Sequence, residues 1–317
     1  MPTAFIAILL IVAQASSGHP MLAMVRPMVA STSDIRAASM VSTLVVPIPI
    51  PVIPKKIGSG LREVEVLGPE ISAASAAVID GASGAVLFGK QPYVVRPLAS
   101  ITKLATALTV VRDRPDWDAR IAVIPADIPP EGHTVLRAGD VVTMRDLFTA
   151  MLVRSDNGAA RAFVRGHEAV EGWFAGAAAQ TARAVGLFSL RIVDPTGLAP
   201  ENRGTAVDVA RLLSAAMEER EIAARLQMPQ AKITAERPTP SVIPIQSTNL
   251  LLHETSSVFR VLGGKTGYLD ESGYNLALVV ERGGNRVVIV VLGSASQDDR
   301  FRDAERLAEW TFKNYEW

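Results

Sequence analysis

Three short segments carry side chains that could work together on an acyl bond. In Ser100-Ile101-Thr102-Lys103 a hydroxyl and an ammonium stand three residues apart. Ile101, Leu104, Ala105, Leu108 and Val111 follow helical spacing, and residues i and i+3 of a helix share a face, so Lys103 can fold back over Ser100. Serine is a weak nucleophile until a base takes its proton. Lysine can be that base once its pKa falls, and burial among Leu98, Ile101 and Leu104 together with the positive end of the helix dipole press it downward. Taken singly, the segment also reads as a capping Ser followed by an exposed Lys.

The second segment is Ser155-Asp156-Asn157, at a junction between two helical patterns. A hydroxyl and a carboxamide one residue apart can both face a cleft where the backbone is not helical; alone, the segment also fits the N-cap of a helix starting at Gly158. The third is Lys265-Thr266-Gly267-Tyr268 after Gly263-Gly264. On an edge strand it offers an ammonium and a hydroxyl to an anion, with a glycine lacking the Cβ that would block a ligand backbone; alone, it is an ordinary strand entry.

The elements that must hold these groups follow from the apolar pattern. Ala74 to Asp80 and Ala85 to Gly89 read as a hairpin around Gly81-Ala82-Ser83-Gly84. From Trp117 to about Gln230 the pattern is mainly helical and Ala-rich: Thr143 to Val153, Gly158 to Arg165, Glu171 to Val185 and Thr205 to Met217. Tyr274 to Glu281 and Val287 to Leu292 are apolar strands around Arg282-Gly283-Gly284-Asn285, and a closing helix spans about Asp298 to Thr311. Strands, many helices, then strands and a helix predict an α+β fold: an antiparallel sheet built from both chain ends, flanked by helices, with a helical subdomain inserted. Trp117, Trp173 and Trp310 fall in helical patterns, as packing residues do.

Composition removes whole classes of chemistry. The 317 residues hold 32 Lys+Arg, 32 Asp+Glu, 4 His and no Cys. A balanced charge without a basic run gives no footprint for a nucleic acid. Without cysteine there is no disulfide, no thiol nucleophile and no Cys-ligated metal. The scattered His19, His133, His167 and His253 form no zinc-hydrolase motif, so no metal or other cofactor is expected. No Gly-x-Ser-x-Gly elbow supports a Ser-His-Asp hydrolase.

Together the three segments, in this order and spacing, resemble the set shared by class A β-lactamases and penicillin-binding proteins. The chain is similar to the low-molecular-mass penicillin-binding D-alanyl-D-alanine serine peptidases over roughly Ala74 to Trp310. The likeness extends to Arg96-Pro97-Leu98-Ala99, Asp194-Pro195-Thr196-Gly197-Leu198, Ser247-Thr248-Asn249-Leu250-Leu251 and Gly273-Tyr274-Asn275-Leu276-Ala277. The resemblance implies a β-lactamase/transpeptidase-like fold with a cleft between sheet and helical subdomain. It implies Ser100 as nucleophile, Lys103 as its base, and Ser155 as proton relay to the leaving amine. Asn157 would bond the substrate amide, Lys265 and Thr266 would hold the substrate carboxylate beside Gly267, and the N–H groups of Ser100 and Tyr268 would form the oxyanion hole. Peptidoglycan stem peptides are the implied substrate and β-lactams the implied covalent inhibitors.

Two alternatives share the fold. A class A β-lactamase needs a Glu-x-x-Leu-Asn loop, which is absent: Glu201 is followed by Asn202-Arg203-Gly204. A non-catalytic peptidoglycan-binding relative would have lost Ser100, Lys103 or Lys265, and all three are present. The pattern is also expected to favour an endopeptidase over a carboxypeptidase, because the closing helix carries Asp303, Glu305 and Glu309 and makes a poor membrane anchor. Ala4 to Ala13 followed by Ala13-Gln14-Ala15 reads as an export signal over residues 1–15, cleaved near Ala15. Residues 16–68 read as a Pro-rich disordered spacer, since Pro47, Pro49, Pro51 and Pro54 exclude a helix or a central strand. The peptidase domain is then 69–317, with its helical subdomain at about 114–235, in an exported, periplasmic protein.

Overall fold

The apolar runs Leu276 to Val280 and Val287 to Leu292 are buried on both faces, because helices cover both sides of the sheet they form. In this computed structural model, Lys55–Lys56 and residues 68–168, 172–254 and 256–317 are described. Strands β2 (Ser75–Asp80), β3 (Val86–Lys90), β10 (Arg260–Leu269), β11 (Gly273–Arg282) and β12 (Asn285–Ser294) form one antiparallel sheet in the order β10-β11-β12-β2-β3. The pairing of β12 with β2, Val288 opposite Ile79 and Val290 opposite Ala77, joins the two ends of the domain as expected.

The two-residue period of the strands sorts their side chains into two cores. Val78, Leu278, Ile289 and Val291 face helix α7 (Gln297–Asn314), which lays Phe301, Ala304, Leu307 and Ala308 on them. Ala77, Ile79, Val279, Val288 and Val290 face the other way, into the larger core with helices α1 (Thr102–Arg112) and α5 (Ala206–Glu218). Asp303 fastens α7 to both chain ends. Its carboxylate accepts from the N–H groups of Ser72 (2.9 Å) and Ala73 (2.8 Å) and from the hydroxyls of Ser72 (2.8 Å) and Ser294 (2.9 Å).

The region between differs from the helical expectation. It holds α2 (Met144–Thr149), α3 (Asn157–His167), α4 (Trp173–Ala184) and α6 (Arg220–Leu226), but also a four-stranded sheet. That sheet orders β5 (Arg120–Ala122), β6 (Val141–Thr143), β8 (Gln230–Arg237) and β9 (Thr239–Gln246) side by side. The stretch expected to be a helical subdomain, about 114–235, is therefore mixed, and its sheet runs past that bound, with β8 ending at Arg237 and β9 at Gln246. Pro238, Pro240 and Pro244 obscure the hairpin in the sequence; β9 is an edge strand, where missing N–H groups cost little. A further short pair joins β4 (Arg96–Pro97) to β7 (Arg203–Gly204) just before the nucleophile segment. Trp117 packs on Phe148 and Phe163, with ring centroids 5.0 and 6.4 Å away, as expected of a packing residue, but from a turn before β5 and not from a helix.

The expected leader and spacer lie outside the described residues except for Lys55–Lys56 and Gly68. The two lysines form strand β1, paired with β13 (Tyr315–Glu316), so part of the stretch read as spacer contributes to a two-stranded ribbon just after Pro54.

Asp303→Ala takes the acceptor from the N–H groups of Ser72 and Ala73, just before β2, and from the buried Ser294 hydroxyl, which costs about 2–3 kcal/mol. A melting curve should show Tm lowered by roughly 4–12 °C for a domain of this size, with β-lactam acylation preserved at temperatures where the variant is folded.

Candidate active site

Ser100 lies in a single 3-10 turn, Ala99–Ile101, that runs directly into α1. Two backbone features fix the turn. Ala99 has a positive φ of 50°, and the Asp194–Leu198 loop crosses beneath it so closely that a Cβ on Gly197 would stand 2.0 Å from the Ala99 carbonyl oxygen. Gly197 itself has a φ of +86°, so glycine is needed there twice over. From the other side Asn275 donates to the carbonyls of Pro97 (3.3 Å) and Leu98 (3.2 Å) and accepts from Gly293 N–H (2.8 Å), pinning the segment to the main sheet.

Lys103 is wholly buried one turn into α1. Its Nζ lies 3.0 Å from Ser100 Oγ, 2.6 Å from Asn157 Oδ1 and 2.6 Å from the Thr196 carbonyl oxygen. Burial lowers its pKa from 10.5 to about 7, against the raising pull of Asp156 and Asp194. A neutral amine has two hydrogens and one lone pair; the two carbonyl-type oxygens take the hydrogens, which leaves the lone pair for the Ser100 hydroxyl. The unfolded chain binds this proton up to about 10.5 and the folded one only up to about 7, so stability rises with pH across that window.

The acid of the crossing loop is fully engaged. Asp194 accepts from the N–H groups of Thr196 (2.7 Å), Gly197 (3.1 Å) and Ala199 (3.0 Å), from the Thr196 hydroxyl, and from Asn202 Nδ2 (2.5 Å). Burial alone would raise its pKa, but the bonds from Thr196, Ala199 and Gly197 outweigh that and hold the carboxyl below the usual range. Its work is to shape the loop whose Thr196 carbonyl meets Lys103.

Ser155 ends a π-helical turn, Ala150–Arg154, in the left-handed conformation at φ 64°. This break turns its hydroxyl to Lys265, whose Nζ donates to Ser155 Oγ at 2.8 Å. Asp156 caps α3, accepting from Ala159 N–H, and also accepts from Val135 N–H, both at 2.7 Å. Asp156 thus realises the capping reading, one residue earlier than expected, while Ser155 and Asn157 bond the two lysines. Asn157, the first residue of α3, is drawn onto Lys103 by its Oδ1.

Strand β10 closes the site. Lys265 is buried; that burial, with Lys103 and Arg300 nearby, holds its pKa well below the ordinary lysine value. Thr266 Oγ1 donates to Thr248 Oγ1 at 2.6 Å. Gly267 is required for a reason other than ligand access: a Cβ would lie 2.8 Å from the Leu98 carbonyl oxygen and 3.1 Å from Ser100 N. Tyr268 is 47% exposed at the rim, and its hydroxyl bonds Asp270 at 2.6 Å, which pushes its pKa up to about 12.

Sequence reasoning missed Arg300. It reaches back from the first turn of α7, with Nη1 3.5 Å from the Gly267 carbonyl oxygen and its guanidinium 5.6 Å from the Tyr274 ring. Its buried Nε has no partner among the described residues, and burial lowers its pKa to about 10. Nothing local marks it, since it is one of several charged residues at a helix start. The expected residues Ser100, Lys103, Ser155, Asn157, Lys265 and Thr266 are linked by hydrogen bonds into two neighbouring clusters, with Gly267 against the nucleophile turn and Tyr268 beside it. Among the described residues no cluster of His, Asp or Glu could hold a metal ion.

The comparisons agree with this geometry. Residues 62–296 match the D-alanyl-D-alanine carboxypeptidase family. A D-alanyl-D-alanine endopeptidase of Pseudomonas aeruginosa is 29% identical over 262 residues, covering 81% of each chain. One of Escherichia coli is 27% identical over 263 residues, 82% of this chain and 84% of that one. The crystal structure of a Streptomyces DD-transpeptidase superposes with a TM-score of 0.72 at 25% identity, over 78% of this chain and 99% of its own. A Mycobacterium tuberculosis D-alanyl-D-alanine carboxypeptidase does so with a TM-score of 0.70 at 26% identity, over 77% and 92%. With the fold, the buried Ser-Lys pair and the family match in agreement, the chain belongs to the D-alanyl-D-alanine carboxypeptidase family of serine peptidases.

Proposed function

We propose that this D-alanyl-D-alanine peptidase acts through an acyl-enzyme on Ser100 and that its preferred substrate is a cross-linked stem peptide, making it an endopeptidase. The observation that carries the mechanism is the Lys103 Nζ held by Ser100, Asn157 and Thr196 with its pKa brought down to about 7. Neutral Lys103 takes the Ser100 proton as Oγ attacks the carbonyl carbon of D-alanine. The ammonium so formed finds acceptors for all its hydrogens in place. The Ser100 and Tyr268 N–H groups receive the developing oxyanion, at a typical contribution of ~3 kcal/mol for such a donor. Ser155, held by Lys265, relays to the departing amine the proton that Lys103 took from Ser100, which returns Lys103 to its neutral form. Thr266, Lys265 and Arg300 give the positive surroundings that suit the carboxylate next to that amine. Water then releases the acyl group.

The second half-reaction separates this reading from a β-lactamase. Asp194 of the crossing loop spends its oxygens on five donors, and Asp156 accepts from Val135 and Ala159 N–H, so neither is free to activate water on a penicilloyl ester. The preference for cross-links is supported by relatives named as endopeptidases in Pseudomonas aeruginosa and Escherichia coli, each matched over 81% or more of both chains. We also propose export to the periplasm, with residues 1–15 as leader, 16–68 as spacer and 69–317 as the catalytic domain. The apolar run at the N-terminus supports this. Among the described residues no helix is long and apolar enough to cross a membrane.

Three outcomes are expected. Intact mass after benzylpenicillin should show one adduct that persists for many minutes and is absent in Ser100→Ala; an adduct in that variant would displace Ser100 as nucleophile. Lys103→Ala should acylate at least about 10³-fold more slowly, and a loss under tenfold would point to another base. The second-order acylation rate should climb roughly tenfold between pH 6 and pH 8 as Lys103 loses its proton near 7; a flat profile over that range would contradict a lysine base.

A further inference from the structure

Beside the catalytic cleft lies a groove of about 650 Å³, walled by Val135, Arg154, Gln230, Lys232, Pro244 and Gln246. It is joined to the cleft along two stretches of chain. Arg154 directly precedes Ser155, and Gln246 lies two residues before Thr248, the hydroxyl bonded to Thr266. The link between these stretches is itself fixed, because Thr248 N–H donates to the Val153 carbonyl at 3.3 Å. The groove therefore opens from the end of the cleft that holds the leaving amine (Ser155) and its carboxylate (Thr266), away from the acyl side.

Its charge is one-sided. Arg154 and Lys232 are exposed and make no hydrogen bond or ion pair among the described residues. The acids on neighbouring elements are already engaged. Asp140 pairs with Arg237 at 2.7 Å, Glu236 pairs with Arg120, and Asp146 accepts from Thr234 N–H at 3.0 Å. Lys232 stands on the same face of the β8–β9 hairpin as Gln230, Pro244 and Gln246, as its register opposite Pro244 requires. An extended strand leaving the cleft here would meet an apolar wall of proline and valine, two carboxamides and two unpartnered cations.

We infer that this groove is the subsite for the departing strand of a cross-linked substrate, and that Arg154 and Lys232 bind free carboxylates on that second stem peptide. A single D-alanine leaving group ends at Thr266 and would leave the groove empty. A departing stem peptide continues beyond that point, and its γ-linked residues keep free α-carboxylates. This inference rests on the endopeptidase reading above and adds to it the residues that would distinguish the two leaving groups.

The test compares wild type with Arg154→Ala, Lys232→Ala and the double reversal R154E/K232E on three probes: a cross-linked muropeptide dimer, an uncross-linked pentapeptide and benzylpenicillin. The double reversal should lower kcat/KM on the dimer about tenfold or more, chiefly through KM, as two partly exposed ion pairs are lost. The single variants should fall in between. Penicillin acylation and D-alanine release from the pentapeptide should stay within about twofold, which also verifies folding. On a dimer with amidated carboxylates the wild type and the variants should be equal, and added salt should raise KM for the native dimer in the wild type but not in R154E/K232E. Unchanged cleavage of the native dimer by R154E/K232E, or an equal fall on all three probes, would overturn the groove assignment alone. A wild type that is acylated by penicillin and releases D-alanine but never cuts the dimer would overturn the endopeptidase reading, and the groove assignment with it.

Discussion

Burying a lysine amine without an anion beside it is the constraint around which this protein is arranged. Lys103 makes no direct ion pair; its partners are a hydroxyl, a carboxamide oxygen and a backbone carbonyl. Such a site disfavours the charged form and so prepares a base near neutral pH. Each partner then has to be delivered from a different part of the chain. Asn157 comes from the start of α3, Thr196 from the crossing loop and Ser100 from the turn leading into α1. The distant acids Asp156 and Asp194 temper the desolvation and hold the delivering segments in shape.

The close approaches of backbone to backbone follow from the same need. The nucleophile turn is squeezed between the loop at Gly197 and strand β10 at Gly267, with contacts that no Cβ would survive. Asn275 ties that turn to the main sheet, and Asn202 ties the loop to it through the Leu98 N–H bond of 2.9 Å to its carbonyl. The site is therefore as rigid as the sheet. Its unusual backbone positions, Ala99 and Ser155, sit where reactive groups must point away from regular structure.

A second electrostatic feature is the gathering of Lys103, Lys265 and Arg300 at one end of β10. Their mutual repulsion lowers the pKa of Lys265 beyond what burial does. A ligand carboxylate brought beside these groups favours their charged forms and so is itself favoured on binding. The cost is a less stable empty site, and the two-sided cores around the main sheet offset it.

Much of this was legible in the sequence because the chemistry is local. Ser100 and Lys103 share a helix face, Ser155 and Asn157 lie one residue apart, and Lys265 and Thr266 are neighbours on a strand, so residue types and short spacings sufficed. The strand-helix-strand order likewise predicted a sheet closed by both ends, since the apolar periods of β2, β11 and β12 are strong. What only the folded chain decided depends on contacts across long separations. The β8–β9 hairpin hid behind prolines that an edge strand tolerates. That Gly267 lies against the nucleophile turn, where a Cβ would meet the Leu98 carbonyl, is visible only in the fold. Arg300, without a motif of its own, enters the site because α7 packs its first turn over Tyr274. Residue types set which reactions are possible; packing decided which side chains share a dry space, and the lowered pKa of Lys103 arises only there.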